Sequence, residues 1–406
     1  MKGPDLMEEE QSRGSATSFE DQEELRGAGG MSWETISLGE FLTLKRGYDL
    51  PETQRQDGDV PVVSSSGITG YHNEAKVEGP GVVTGRYGTL GEVFYLDDPF
   101  WPLNTALYVK DFKGNNPRFT AYFLKNVLSG IASDKAAVPG VNRNDLHARR
   151  VIVTRDSIQQ DRIASVLSAY DDLIENNRRR IQLLEQAARL LYREWFVHLR
   201  FPGHEHVRIM DGVPEGWERK TAFDEMDILS GGTPKTGVPD YWNGDIPFFT
   251  PKDSMDYAYA LATEKRLTEE GLRNCNSKLY PKDTIFITAR GTVGKINLAQ
   301  TAMAMNQSCY ALIGKPPLNQ YYLYFALVDG VEQFRSRAVG AVFDAIIRET
   351  FNQIPFIVPD DKIIQSFTEH VVPIIKQIDV LSTEIRMLTQ ARDLLLPRLM
   401  NGEIKI

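Results

Sequence analysis

The sequence predicts an α+β protein built as a tandem repeat, in which each half is a globular segment followed by a long helix. Three observations carry this. A colinear series of matches links the first half to the second. Each half holds short β-type runs broken by short helices. Each half then closes in a stretch of strict 4-3 apolar spacing.

The matches run in order. Trp33-Glu34 recurs as Trp217-Glu218, offset by 184 residues. Asp59-Val60-Pro61-Val62-Val63-Ser64 recurs as Asp245-Ile246-Pro247-Phe248-Phe249-Thr250 at 186. Gly88-Thr89-Leu90-Gly91 recurs as Gly291-Thr292-Val293-Gly294 at 203, and Asn104, Tyr108 and Tyr122-Phe123 recur as Asn306, Tyr310 and Tyr324-Phe325 at 202. The drift places an insertion of 17 residues in the second half, between about 251 and 284. A slowly drifting series in one order is hard to produce by chance.

In the first half, runs of β-branched and aromatic residues predict strands over Val60 to Ser64, Val82 to Thr84, Val93 to Leu96, Ala106 to Val109 and Val151 to Val153. Their second-half counterparts are Ile285 to Thr288, Lys295 to Leu298, Ser308 to Ile313 and Phe356 to Val358. Helical spacing appears over Phe119 to Leu128 and Gln320 to Val328. Strands interleaved with short helices read as an α+β domain.

The long helices give the clearest signal. Ile163, Leu167, Tyr170, Ile174, Asn177, Ile181, Leu184, Ala188, Leu191 and Trp195 alternate in steps of four and three. Adding 204 gives Phe367, Val371, Ile374, Ile378, Leu381, Ile385, Leu388, Arg392, Leu395 and Leu399. Such heptads form a coiled-coil seam, and an Asn within it costs stability but sets register. The seams can bury against each other within one chain, or each against its own globular segment. The sustained 3.5-residue period favours the first. Pro373 should kink or shorten the second helix at its start. A helix of 40 residues is about 60 Å long, more than one turn of DNA at about 34 Å.

The chain has 406 residues, 42% hydrophobic and 25% charged, an ordinary globular composition with room for two to four domains. No apolar run approaches a membrane span; the longest, Tyr321 to Val328, stops at Asp329-Gly330. The first residues are acidic and lack an apolar core, which argues against a secretory signal. Cys275 and Cys309 cannot build a disulfide framework and are expected reduced, in the cytoplasm. Net charge is −9, of which residues 1–30 carry −5 through eight acids and three bases. The near-neutral remainder can still present a basic face, so charge neither proves nor excludes DNA binding. Residues 1–30 are polar and aperiodic and are expected to be a disordered acidic tail. Met31-Ser32-Trp33 has the look of a second start, which would make the tail an extension; an acidic interaction arm is the alternative.

Catalytic motifs are missing. Gly291-Thr292-Val293-Gly294-Lys295-Ile296 has the outline of a phosphate loop, but with two residues between glycines and Ile where Ser or Thr must bind magnesium. Its first-half partner has Glu92 in place of Lys295, so the shared feature is the turn. His204-Glu205-His206 has no spaced third ligand, and a solvated linker explains it better than a metal site. HExxH, GxSxG, GxGxxG and an adenine-methyltransferase Asn-Pro-Pro-aromatic motif do not occur; Asp98-Pro99-Phe100 is the nearest to the last. No metal or catalytic residue is expected.

Pro214-Glu215-Gly216-Trp217 opening the second half, the Gly-Thr-x-Gly pair, and helices ending in Leu190-Leu191-Tyr192 and Leu394-Leu395-Leu396 stand in one duplicated order. This order resembles the DNA specificity subunit of type I restriction–modification systems, over residues 31–406. The resemblance implies target-recognition domains at 31–155 and 214–358, each reading half of a bipartite asymmetric DNA target. It implies helical spacers at 156–200 and 359–402, with a linker at 201–213, the two helices forming an intramolecular antiparallel coiled coil. It also implies modification subunits, two of them, that methylate adenine with S-adenosylmethionine, and restriction subunits that use ATP and magnesium to cleave DNA. The chain itself would bind no cofactor and act as a non-catalytic DNA-binding subunit. A coiled-coil scaffold that never touches DNA, or the specificity chain of a type II-like system, are the alternatives.

Base readout calls for Arg, Lys, Asn, Gln, Ser or Thr on loops that enter a groove. Thr84, Arg86 and Tyr87 on one glycine-flanked loop match Thr288 and Arg290 on the other; a structural β-turn with a surface Arg fits equally. Asn104, Asn306 and Gln307 offer amides for adenine edges, unless local turns take them. Lys252, Lys265, Arg266, Arg273, Lys278 and Lys282 of the insertion suit phosphates, or belong to a solvated loop. Ser65 and Trp242 lie in turn-like segments able to touch DNA, and Arg178-Arg179-Arg180 reads as a solvated or partner-facing stretch.

Overall fold

The computed structural model of the chain describes residues 33–86, 91–134, 142–338 and 345–406; the acidic tail and Tyr87 lie outside the described residues. The described chain divides into two units. The first runs to Leu167 and includes Leu394–Ile406; the second is Ser168–Asp393.

The first unit is closed by its own ends. Strand Trp33–Ser37 pairs antiparallel with Arg150–Thr154, with Trp33 opposite Thr154. Ser37 then starts the short helix Leu38–Phe41 with a capping box: its hydroxyl accepts from the Glu40 amide at 3.3 Å, and Glu40 Oε2 accepts from the Ser37 amide at 2.7 Å. A four-stranded antiparallel sheet follows, ordered Thr43–Arg46, Ala106–Asp111, Gly81–Gly85, Val93–Leu96. A smaller sheet holds Gly67–His72, Val60–Ser64 and Trp101–Pro102, the last pair parallel. Helix Pro117–Asp134 brings Phe119 and Phe123 against Phe41, with Phe41 and Phe123 centroids 4.9 Å apart. The same core takes in Ile163 and Leu167 from the start of one long helix and Leu396, Leu399 and Met400 from the end of the other.

The second unit repeats the plan. Glu218–Thr221 pairs antiparallel with Pro355–Val358, and Thr221 with Asp224 caps Ala222–Glu225 by the same box. The main sheet is ordered Met226–Ser230, Cys309–Gly314, Ile285–Thr288, Ile296–Ala299, Tyr259–Ala260. The fifth strand comes from the insertion and runs parallel to its neighbour. The small sheet is Lys265–Leu267, Trp242–Phe249 and Ala304–Met305. Where Ser65 and Ser66 make a tight hairpin in the first unit, the second carries the inserted residues, which are ordered structure and not a plain loop.

The first long helix is Ser157–Tyr192, widening into a π turn over Arg193–Val197; the second is Asp361–Met400. Within the second unit, Asn177 meets Glu384 and Asp171 meets Arg392. Partner numbers fall along one helix as they rise along the other, so the pair is antiparallel. Ile174, Ile181 and Ala188 share one buried cluster with Ile378, Leu381 and Ile385, while Leu184, Leu191 and Leu388 pack against it half-buried. Leu395 packs against the first unit's core. Toward its other end the second helix presents Phe367 to Tyr192, Trp195, Phe196, Tyr322 and Phe325, with centroids 5.1 to 6.4 Å away. Such edge-to-face clusters add to the burial of each ring.

Of the two effects expected of Pro373, shortening does not occur, because the second helix begins twelve residues earlier and continues past it. The ring sits on the exposed side, and buried Val371 and Ile375 flank it. Their packing outweighs the lost backbone bond, a cost of about 3 kcal/mol.

Candidate nucleic-acid interface

The two glycine-flanked loops leave the main sheets at matched places. In the first unit Thr84 is buried, and its hydroxyl donates to the Glu92 carbonyl at 2.8 Å, tying the two arms of the hairpin together. Arg86 follows, half-buried, its amide donating to Thr105 O at 3.3 Å. In the second unit Thr288 is fully buried; it donates to Thr292 O and accepts from the Lys295 amide at 2.9 Å. Gly291 and Gly294 both adopt positive φ, +82° and +80°, which the turn requires. Arg290 stands exposed on this loop. The threonines therefore hold the loops from inside, and Arg290 faces outward.

The amides are differently placed. Asn104 Nδ2 donates to Asp49 Oδ1, and the Asn104 carbonyl accepts from Arg46 Nε at 3.2 Å. Asn306 Oδ1 accepts the Ser308 amide at 3.0 Å, a local turn of the kind Asn makes readily, and Gln307 accepts from Thr233 Oγ1. Ser65 is half-buried in its hairpin. Trp242 donates from Nε1 to Lys235 O at 3.3 Å and lies 5.5 Å beneath the Lys265 ammonium, while Lys252 is exposed. Arg266 fastens to Gly244 O at 2.9 Å, Arg273 pairs with Glu269 at 3.1 Å, and Lys282 pairs with Asp379. Arg179 pairs with Glu175 at 3.2 Å on the first long helix.

The fold also assembles a cluster that sequence spacing did not reveal. Arg46, Arg86 and Arg143 surround an open cavity of about 240 Å³ with Leu107, Asn142 and Asn144. They come from the end of a strand, from the loop after another strand, and from the helix Arg143–Ala148 that Asn142 caps. The only local signal was Asn142 three residues before Asp145, a capping pattern. The corresponding place in the second unit follows from register. The strand pairings put the offset here at 203 and not the 202 of the sequence matches, so Leu107 and not Tyr108 stands where Tyr310 does, and Leu103 and not Asn104 where Asn306 does. Arg46 lies opposite Leu107 as Ser230 lies opposite Tyr310, and Asn142 caps its helix at the position Ile347 holds before Arg348–Asn352. There the chemistry is mixed: Ser230, Arg290, Tyr310, Ile347, Arg348 and Glu349, with the Arg348 guanidinium 5.3 Å from the Phe223 ring centre. Burial raises the Tyr310 hydroxyl pKa above its ordinary value, against the pull of Arg290.

Among the described residues no group of three or more His, Cys, Asp or Glu is placed to hold a metal ion, and no helix is long and apolar enough to cross a membrane.

Comparison with known proteins agrees with this duplicated plan. The model of the type I restriction modification DNA specificity domain matches twice, over residues 31–186 and 214–389, each match taking one globular segment and most of the helix after it. The MjaIX type I restriction enzyme specificity subunit of Methanocaldococcus jannaschii is 30% identical over 156 residues, 37% of this chain and 36% of that protein. The HindI specificity subunit of Haemophilus influenzae is 26% identical over 311 residues, 61% of this chain and 68% of that protein. The crystal structure of a type I restriction–modification S subunit from M. genitalium shares the fold, with a TM-score of 0.58 at 17% identity, over 92% of this chain and 98% of that one.

Proposed function

The chain belongs to the type I restriction modification DNA specificity family, and from that premise we propose that it is the DNA-recognition subunit of a type I restriction–modification complex in the cytoplasm. Each globular unit reads one half of a bipartite, asymmetric target. The observation that carries the reading is the duplication: one scaffold of sheets, caps and loops occurs twice, while the side chains at the rim of its loops differ. Two diverged readers on a repeated frame suit an asymmetric target. The chain contributes recognition and no chemistry. Two modification subunits would methylate adenine with S-adenosylmethionine, and restriction subunits would cleave with ATP and magnesium.

Partner docking finds support on the outer faces of the long helices. Leu183 and Leu190 are 65% and 55% exposed, and Met387 and Leu394, at the same offset of 204, are 61% and 71% exposed. Apolar heptads repeated at equivalent positions suit two copies of one partner. Methylome sequencing of the host with and without this gene tests the proposal. Loss of methyladenine at one gapped motif is expected. An unchanged methylome in cells that make the modification subunits would favour a scaffold without DNA binding.

A further inference from the structure

We propose that the arginine notch of the first unit, formed by Arg46, Arg86 and Arg143, reads guanine in one half-site through the O6 and N7 edge of the major groove. The assignment rests on the DNA-recognition reading above and deepens it.

Geometry argues for it first. Three guanidinium groups from three separate elements line one open concavity of about 240 Å³. Arg46 is tied through Nε to Asn104 O at 3.2 Å, and Arg143 through Nε and Nη2 to the Asn144 carboxamide at 3.4 and 3.2 Å. A guanidinium carries five N–H donors, so one tethered edge leaves donors for a ligand. A planar fork matches the paired acceptors of guanine, the commonest specific Arg contact in DNA readers.

The repeat supplies the argument against a phosphate grip. Both half-sites present the same sugar-phosphate backbone, so a backbone grip has no reason to differ between the units. At this place they differ strongly. Arg46, Arg86, Asn142 and Asn144 become Ser230, Ala289, Ile347 and Glu349, while Arg143 keeps its charge as Arg348. The first notch offers three cations; its counterpart offers Arg290 and Arg348 with a carboxylate beside them. Divergence confined to side chains on a shared frame is what base readout requires.

The test uses the full chain in complex with its modification subunits. Methylation is measured on a target library with every half-site position randomised, at several salt concentrations, for wild type, Arg46→Ala, Arg143→Ala and Arg143→Lys. The expected result is a loss of about five- to a hundred-fold at one or two G·C positions of a single half-site, with the other half-site and the salt slope unchanged. Arg143→Lys should lose most of the preference, because an ammonium cannot make the bidentate contact. Intact preference at the other half-site shows that the variants fold. Equal weakening on all sequences, with a salt slope reduced by about one, would overturn the assignment in favour of a phosphate grip. Preferences unchanged in every variant, or lost at A·T positions only, would overturn it as well. A wild-type complex with no gapped motif at all would sink the DNA-recognition reading itself, a different outcome from a gapped motif that ignores these arginines.

Discussion

Gly47 and Gly231 show how closely the two units copy each other at single residues. A Cβ on Gly47 would fall onto the Leu103 and Pro102 carbonyl oxygens, and one on Gly231 onto those of Asn306 and Met305. The neighbours are backbone and cannot step aside. Gly47→Ala or Gly231→Ala should each cost more than about 2 kcal/mol, given that strain and overpacking of this kind cost about 1–3 kcal/mol. Thermal melting of the purified chain checks it, and melting points within a degree of wild type would refute it. Glu185 makes a pH-dependent contribution. Burial pushes its carboxyl up to about 7 from the ordinary 4.5, against the lowering effect of the Ala258 amide that donates to it. The unfolded chain releases this proton near 4.5 and the folded chain near 7, so the native state binds the extra proton in between. Stability therefore falls as pH rises through that window. Glu185→Gln should abolish the slope and be more stable than wild type at pH 8 by about 1–2 kcal/mol, the shift being discounted for partial exposure. Melting at pH 5 and pH 8 decides; parallel pH dependence in both proteins would contradict it. The candidate site was half legible in the sequence. Arg86 and Arg290 stood out because a local Gly-rich loop marks them. Thr84 and Thr288 turned inward, since both lie in strands buried on both faces and a carbonyl partner claims each hydroxyl. Arg46 and Arg143 were invisible because 97 residues separate them and only the fold joins them.

The long helices are the elements whose pattern told most. Heptad spacing gave the seam, and its two polar interruptions prove to be matched pairs. Asn177 donates to Glu384 at 3.0 Å, and Arg392 meets Asp171 at 2.5 Å with only 17% of its own side chain exposed. Asp171→Ala leaves that guanidinium with only its neighbour Asp393 and should cost about 1–3 kcal/mol; Arg392→Leu combined with Asp171→Ala should recover most of it. A double-mutant melting cycle measures this, and additive losses would argue that the pair contributes nothing. Strand bounds were sharp where β-branched runs end at turn residues, as at Val60–Ser64, Val93–Leu96 and Ile285–Thr288. The shorter helices were underestimated. Gln320–Ala338 continues through Asp329-Gly330, which read as a stop, because Phe334 further along is buried against Phe351 at 5.1 Å. Tertiary packing there overrides local propensity.

For the whole molecule, the duplication was readable from colinear offsets. Leu394–Ile406 belongs to the first unit's core through Leu396, Leu399 and Met400. The central claim is that the length of the antiparallel helix pair sets the unread gap of the target. Removing residues 175–181 together with 381–387 takes a matched heptad from each helix, and with it Asn177 and its partner Glu384. Seven residues of helix span about 10 Å, or about three base pairs at 3.4 Å each. Methylome sequencing of a host carrying that paired deletion is the most direct measurement. The account predicts both half-sites unchanged and the unread gap shorter by about three base pairs. Methylation at the original spacing, or altered half-sites with the original gap, would contradict it.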